Sequence, residues 1–265
     1  MLNLIFFLAG GAGACALCAA TSLSFWWLIP LWLGFYLGLT LVFFLGFLLL
    51  VPIVTRKPNP EKPNVFCMKF LHFMTNWLMG FLWVRVKKEG FEKIPSGPVI
   101  LIANHLSNFD PIVVMAAYAG KIIFISKESN FHIPVAGALM KKAGYLSIDR
   151  ENGMRALRTL KTAADLVENE NVSVGIYPEG TRSHSGELQE FKEGAFYLAK
   201  KANVPVVVMA TSNTQKIGPA KRLFRPLTVK LHVVDVWQPD EFAEAALPEL
   251  AQKAHDAVLS GLSEL

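Results

Sequence analysis

The sequence predicts an α/β fold, a mixed, largely parallel sheet covered by helices, preceded by an N-terminal membrane helical hairpin. Three observations predict it. From Pro98 onward, short apolar runs bounded by turn residues alternate with amphipathic runs of helical length, the pattern of strands packed against helices. Polar and charged residues recur where those apolar runs end, which is where open α/β sheets place their chemistry. Finally, no Lys, Arg, Asp, Glu or His occurs before Arg56. A spanning helix needs about 20 apolar residues, so that stretch is long enough for two.

The elements follow in order. Leu4–Leu23 and Trp26–Val54 are the two spans, with Ser22, Ser24 and Pro30 marking a turn and Trp26 and Trp27 as interfacial anchors. Gly10, Gly11 and Gly13 weaken the first as a rigid helix. One long span or a re-entrant hairpin stays open beside two crossings. A proline-punctuated linker covers 56–63. Residues 64–83 form an aromatic-rich helix with Lys69, His72 and Asn76 on one face, either interfacial or packed on the domain. The domain proper covers 84–265. Strands are expected at 84–88, 98–103, 121–126, 145–148, 172–177, 205–210 and 227–236, and helices at 134–143, 153–168, 192–202 and 247–262. In the helix at 153–168, Met154, Leu157, Leu160, Ala164 and Val167 make the apolar stripe.

Composition narrows the class. At 52% hydrophobic and mean hydropathy +0.37 over 265 residues, the chain is too apolar for an ordinary soluble domain. The first three residues carry no Lys or Arg, and the apolar stretch outruns a cleaved signal peptide. Arg56, Lys57, Glu61 and Lys62 follow the second span, which places the soluble domain on the cytoplasmic side of the cell membrane. A net charge of +5 on a membrane-tied domain suits anionic headgroups or phosphorylated substrates. Cys15 and Cys18, one helical turn apart in the first span, read as small apolar side chains, so neither a metal site nor a disulfide framework is expected.

His105 and Asp110 stand out. His105 follows the apolar run Pro98–Ala103 and so stands at a strand's carboxyl end. Asp110 precedes Pro111, a residue favoured at a helix start, and caps that helix or turns back to the imidazole. A carboxylate on one ring nitrogen fixes the tautomer and makes the other nitrogen a base suited to a hydroxyl nucleophile. Other strand ends supply Lys127 and Glu128, Asp149 and Arg150, and Pro178-Glu179-Gly180-Thr181-Arg182-Ser183. Cations beside glycine and hydroxyl residues suit a phosphate. His72, His132, His184, His232 and His255 lack that setting and read as surface or packing residues. There is no GxSxG elbow, no GxxxxGK[ST] loop and no HExxH helix.

The run Asn104-His105-(four residues)-Asp110 resembles the NHxxxxD motif of the glycerolipid acyltransferases, the lysophosphatidic acid acyltransferase family. Tyr177-Pro178-Glu179-Gly180-Thr181-Arg182-Ser183 is similar to that family's FPEGTRS block, with Tyr for Phe. Ile148-Asp149-Arg150 resembles the block between them, and Val204–Val208 the fourth, with Met209 where Pro is often found. The resemblance implies a glycerolipid acyltransferase-like fold. It implies acyl transfer from acyl-coenzyme A or acyl-carrier protein to the sn-2 hydroxyl of 1-acylglycerol 3-phosphate, lysophosphatidic acid, giving phosphatidic acid. In that reading His105 takes the hydroxyl proton and Asp110 orients His105. Glu179 binds the acceptor's glycerol portion and Arg182 its phosphate, supported by Arg150 and Lys127. Gly180 lets the backbone approach closely, with Thr181 beside it. No cofactor is needed beyond the acyl donor, and the bilayer is the partner, with no nucleic acid. Backbone N–H groups in the turn after His105 are one source of oxyanion donors. The basic loop Lys216, Lys221, Arg222 and Arg225 meets anionic lipid or coenzyme A phosphates, or is simply solvated.

Overall fold

The computed structural model describes residues 2–55, 62–183, 186–218 and 225–265. Arg56, Lys57 and Glu61, together with His184, Lys221 and Arg222, lie outside them. The chain forms two compact units, Met1–Arg56 and Lys57–Leu265.

The first unit is a helical hairpin. Helix α1 (Leu2–Thr21) and helix α2 (Leu28–Val54) are joined through Ser22, at φ 56°, and a short 3-10 turn, Phe25–Trp27. Both helices are long and apolar enough to cross a membrane. The glycines expected to weaken α1 have another use. Gly10 and Gly13 lie under Trp32, Phe35 and Tyr36 of α2, where a Cβ on Gly10 would come within 3.1 Å of the Tyr36 backbone nitrogen. Small residues at such crossings let two apolar helices approach closely. The Trp32 indole N–H donates to the Phe7 carbonyl at 2.7 Å.

The second unit is built on a sheet. Its strands are β1 (Val84–Glu89), β2 (Ile100–Ala103), β3 (Ile122–Lys127), β4 (Leu146–Ile148), β5 (Ser173–Ile176), β6 (Val206–Ser212) and β7 (Leu227–Trp237). Among the described residues these seven form one sheet in the order β1-β7-β6-β2-β5-β3-β4. Strands β6, β2, β5, β3 and β4 run parallel. Strand β7 is antiparallel to β6, and β1 is parallel to β7. The sheet is therefore mixed and mostly parallel, and five strands end at one edge.

The central strands β2 and β5 are buried at every position, which explains their unbroken apolar runs. Strand β2 begins at Ile100 rather than Pro98. Proline has no N–H to give the ladder, and the Val99 N–H donates to the Ser173 hydroxyl at 3.1 Å. Seven of the helices in this unit bear on the argument. They are α3 (Val65–Phe81), α4 (Asp110–Ala117), α5 (Ala136–Lys142), α6 (Gly153–Glu170), α7 (Gly194–Ala202), α8 (Pro239–Phe242) and α9 (Leu247–Ser263).

Helix α3 has two faces. Cys67, Met68, Thr75, Trp77 and Met79 are buried in the domain, while Phe66, Phe73 and Phe81 are exposed. It packs on the domain and also shows an aromatic surface. Helix α6 buries Leu160, Ala163, Ala164, Leu166 and Val167. Met154, expected in its apolar stripe, is 72% exposed, in the first turn of α6 and ahead of the buried run that begins at Leu160.

Candidate active site

The site lies where β2 and β5 end side by side. Asn104 finishes β2, and its side chain is 1% exposed. Its amide nitrogen donates to the Thr211 carbonyl at 3.0 Å, and its oxygen accepts the Thr211 N–H at 2.7 Å. This double bond to β6 copies a strand ladder with a side chain and fixes where the next residue leaves the sheet.

That residue is His105. Its Nδ1 lies 2.7 Å from Asp110 Oδ2. The same Oδ2 accepts the backbone N–H of Leu106 at 2.7 Å and of Ser107 at 2.8 Å. Asp110 Oδ1 accepts the hydroxyl of Thr214. An oxygen already taking two N–H groups is an acceptor, so Nδ1 is the donor and carries the proton. The lone pair is then on Nε2, the orientation a general base needs. Asp110 is fully buried. It is not the helix cap, a position held by Phe109; Asp110 is the first residue of α4, before Pro111. Its carboxylate turns back toward the strand end. The amides of Leu106 and Ser107 are committed to it, so they do not supply the oxyanion donors expected of this turn.

The block Tyr177–Ser183 wraps the backbone of His105. Glu179 Oε1 accepts the His105 N–H at 2.5 Å, and the Ser183 N–H donates to the His105 carbonyl at 2.8 Å. Glu179 Oε2 accepts the Gln189 N–H at 3.2 Å. Burial, at 3% exposure, raises the Glu179 carboxyl above its ordinary value of 4.5, while the two backbone N–H bonds pull it down. Both carboxylate oxygens are thus engaged by one backbone N–H each, and each keeps a second lone pair for another donor. Gly180 closes a turn by donating its N–H to Tyr177 O at 3.1 Å and sits at φ 73°, where a side chain is strained. Lys192 lies over it, with Nζ 2.9 Å from where a Cβ would stand.

Thr181 is exposed and Arg182 half-buried. Among the described residues Arg182 has no carboxylate partner. Lys127 and Arg150, both exposed, are brought together with Arg155 and Arg158 along a groove of about 860 Å³ at the ends of β3 and β4. Arg155 pairs there with Asp149 at 3.2 Å. Among the described residues no hydrogen bond or ion pair joins this groove to the His105 dyad. The other described histidines lack a buried carboxylate: His232 and His255 face the exposed Glu264 and Asp256. Among the described residues no group of three His, Cys, Asp or Glu side chains could hold a metal ion. Sequence reasoning missed Thr214, Lys192 and the Asn104 clamp on Thr211. Only Asn104 had a signal, its place in the motif.

The site is thus an imidazole–carboxylate pair held at the carboxyl edge of a mostly parallel sheet, with a glycine turn bonded to its backbone. Residues 85–212 match the Acyltransferase family model. The human 1-acyl-sn-glycerol-3-phosphate acyltransferase alpha is 29% identical over 235 residues, 88% of this chain and 81% of that protein. The 1-acyl-sn-glycerol-3-phosphate acyltransferase of Salmonella typhimurium is 32% identical over 171 residues, 64% of this chain and 69% of that protein. The crystal structure of the 1-acyl-sn-glycerophosphate (LPA) acyltransferase from Thermotoga maritima is similar at a TM-score of 0.65 and 27% identity, over 84% of this chain and 88% of that one. This chain belongs to the 1-acyl-sn-glycerol-3-phosphate acyltransferase family and is an O-acyltransferase.

Proposed function

We propose that this protein moves a fatty acyl group from acyl-coenzyme A or acyl-carrier protein to the sn-2 hydroxyl of 1-acylglycerol 3-phosphate, giving phosphatidic acid, with His105 as general base. The observation that carries this reading is the dyad: Nδ1 is tied to a buried, saturated carboxylate, and Nε2 is left to receive a proton. Nε2 takes the proton of the acceptor hydroxyl as its oxygen attacks the thioester carbon. The tetrahedral intermediate then collapses, the carbon–sulfur bond breaks, and the imidazolium returns the proton to the leaving thiolate. Protons balance, and no covalent enzyme intermediate is needed.

Arg182, without a carboxylate partner among the described residues and on the turn bonded to the His105 backbone, holds the acceptor phosphate through its guanidinium fork. Lys127 and Arg150 add positive charge at the same sheet edge. Glu179 and Gly180 shape the turn. The α1–α2 hairpin anchors the enzyme in the membrane, with the catalytic unit on the cytoplasmic side, where acceptor and acyl donor meet it. The exposed Phe66, Phe73 and Phe81 of α3 rest in the membrane interface.

The test uses purified full-length protein in phospholipid vesicles. Acyl-coenzyme A and acyl-carrier protein are supplied as donors. Acceptors are lysophosphatidic acid, other lysophospholipids and glycerol 3-phosphate. Transfer to lysophosphatidic acid that disappears in His105→Ala is expected. Transfer to glycerol 3-phosphate alone, or a fully active His105→Ala, overturns the reading.

A further inference from the structure

His105 has a second ring neighbour that the acyl-transfer scheme leaves unused. Tyr177, just past the end of β5, lies flat on the imidazole, with ring centroids 4.4 Å apart and planes 19° from parallel. Tyr177 also stacks with Phe124 of β3 at 6.1 Å and 9°. Phe124 in turn meets Tyr145 at 6.0 Å. The imidazole is the outermost ring of a column rooted in the core, since Phe124 and Tyr145 are buried. The Tyr177 hydroxyl is buried and makes no hydrogen bond among the described residues. What the residue presents to the dyad is therefore its ring face.

We infer that Tyr177 is a positioning residue for acyl transfer: its ring fixes the plane of the His105 imidazole and stabilises the imidazolium formed when the base takes a proton. The inference rests on the reading of His105 as that base. One hydrogen bond from Nδ1 to Asp110 fixes a point on the imidazole but leaves the ring free to tilt about it. A flat neighbour removes the tilt. The negative face of an aromatic ring also attracts a cation lying against it, an effect that vanishes when the imidazole is neutral. The stack therefore favours the charged, proton-bearing state over the resting one, which is differential stabilisation of the step that forms it. It does so without forming or breaking a bond. Among the described residues the titratable groups around His105 are Asp110 on α4, Glu179 on the turn after β5, Tyr177 and, beyond it, Tyr145. Burial raises both phenols well above 10.0, so neither contributes charge near neutral pH.

The experiment compares Tyr177→Phe, Tyr177→Leu and His105→Ala in the full chain, measuring kcat, KM for lysophosphatidic acid and the pH profile of kcat/KM. Tyr177→Phe keeps the ring, and retains wild-type kcat and pH profile within about twofold, with no loss of melting temperature. Tyr177→Leu lowers kcat roughly threefold to thirtyfold, leaves KM within about twofold, and moves the acidic limb about half a unit to lower pH. Tyr177→Met, unbranched and without a ring, repeats the measurement if the leucine variant fails to fold. A phenylalanine variant as damaged as the leucine one would place the effect in the hydroxyl and overturn the inference. So would ring-less variants with an unmoved acidic limb. An active His105→Ala would instead remove the base itself, which separates the two failures.

Discussion

Thr214 completes the set of donors around Asp110: its hydroxyl bonds Oδ1 while the His105 imidazole and two backbone amides share Oδ2. Both residues are fully buried. Thr214→Val removes the hydroxyl at nearly constant volume and strands a buried carboxylate oxygen, which costs about 1–3 kcal/mol. The melting temperature should fall by roughly 2–10 °C, with a loss of kcat that Thr214→Ser restores. A valine variant as stable and active as wild type would show that Oδ1 needs no protein donor.

Asp110→Asn tests the charge separately from the fold. The amide oxygen can still meet Leu106, Ser107 and His105, and the amide nitrogen can face the Thr214 oxygen. What disappears is the negative charge beside the imidazolium. A loss in kcat on the order of 10²–10⁴ is expected, with near-normal thermal stability. Steady-state kinetics beside a melting curve checks both halves.

Glu179 gives a pH dependence of stability. Burial raises its native carboxyl above 4.5, so the native state holds that proton more tightly than the unfolded chain does. Its contribution is complete below about pH 4.5 and declines as pH rises through the native value. Glu179→Gln removes this titration, although its NH2 must face one of the two backbone amides. The stability of wild type relative to Glu179→Gln should therefore fall between pH 4 and pH 8, read from melts across that range. A constant difference would count against a titrating Glu179.

Arg182 is expected to act on binding. Arg182→Ala should raise KM for lysophosphatidic acid roughly tenfold to a hundredfold, the worth of one charge-assisted contact. Arg182→Lys should recover only part, because an ammonium lacks the guanidinium fork. Equal KM values in all three proteins would remove the phosphate role.

The dyad was legible because it is local. Asp110 stands only five positions after His105, and a buried strand followed by Asp-Pro fixes the geometry between them. The sheet was legible for the same kind of reason, since each central strand is an apolar run bounded by turn residues. What surrounds the dyad was not legible. Thr214 stands 104 positions after Asp110, and no periodicity in a sequence announces such a pairing. Glu179 was visible as a charged residue at a strand end, but a charge in a string does not say whether it meets solvent or two backbone amides. The glycines of α1 read as a weakness because helix propensity is a property of one helix, whereas their use depends on a second. Met154 fits the helical period of α6, yet period alone does not say where along the helix burial begins.

The Asn104–Thr211 and Asp110–Thr214 bonds also set when activity can begin during synthesis. At the usual pace of a ribosome, the stretch from Asn104 to Thr214 takes roughly 5–20 seconds to make. For nearly all of that interval His105 has been translated, but Thr211 and Thr214, which hold Asn104 and Asp110, have not. The α1–α2 hairpin, by contrast, lies ahead of Asn104 in the chain and is translated before it. His105 therefore gains its full set of bonded neighbours only once Thr214 has been made.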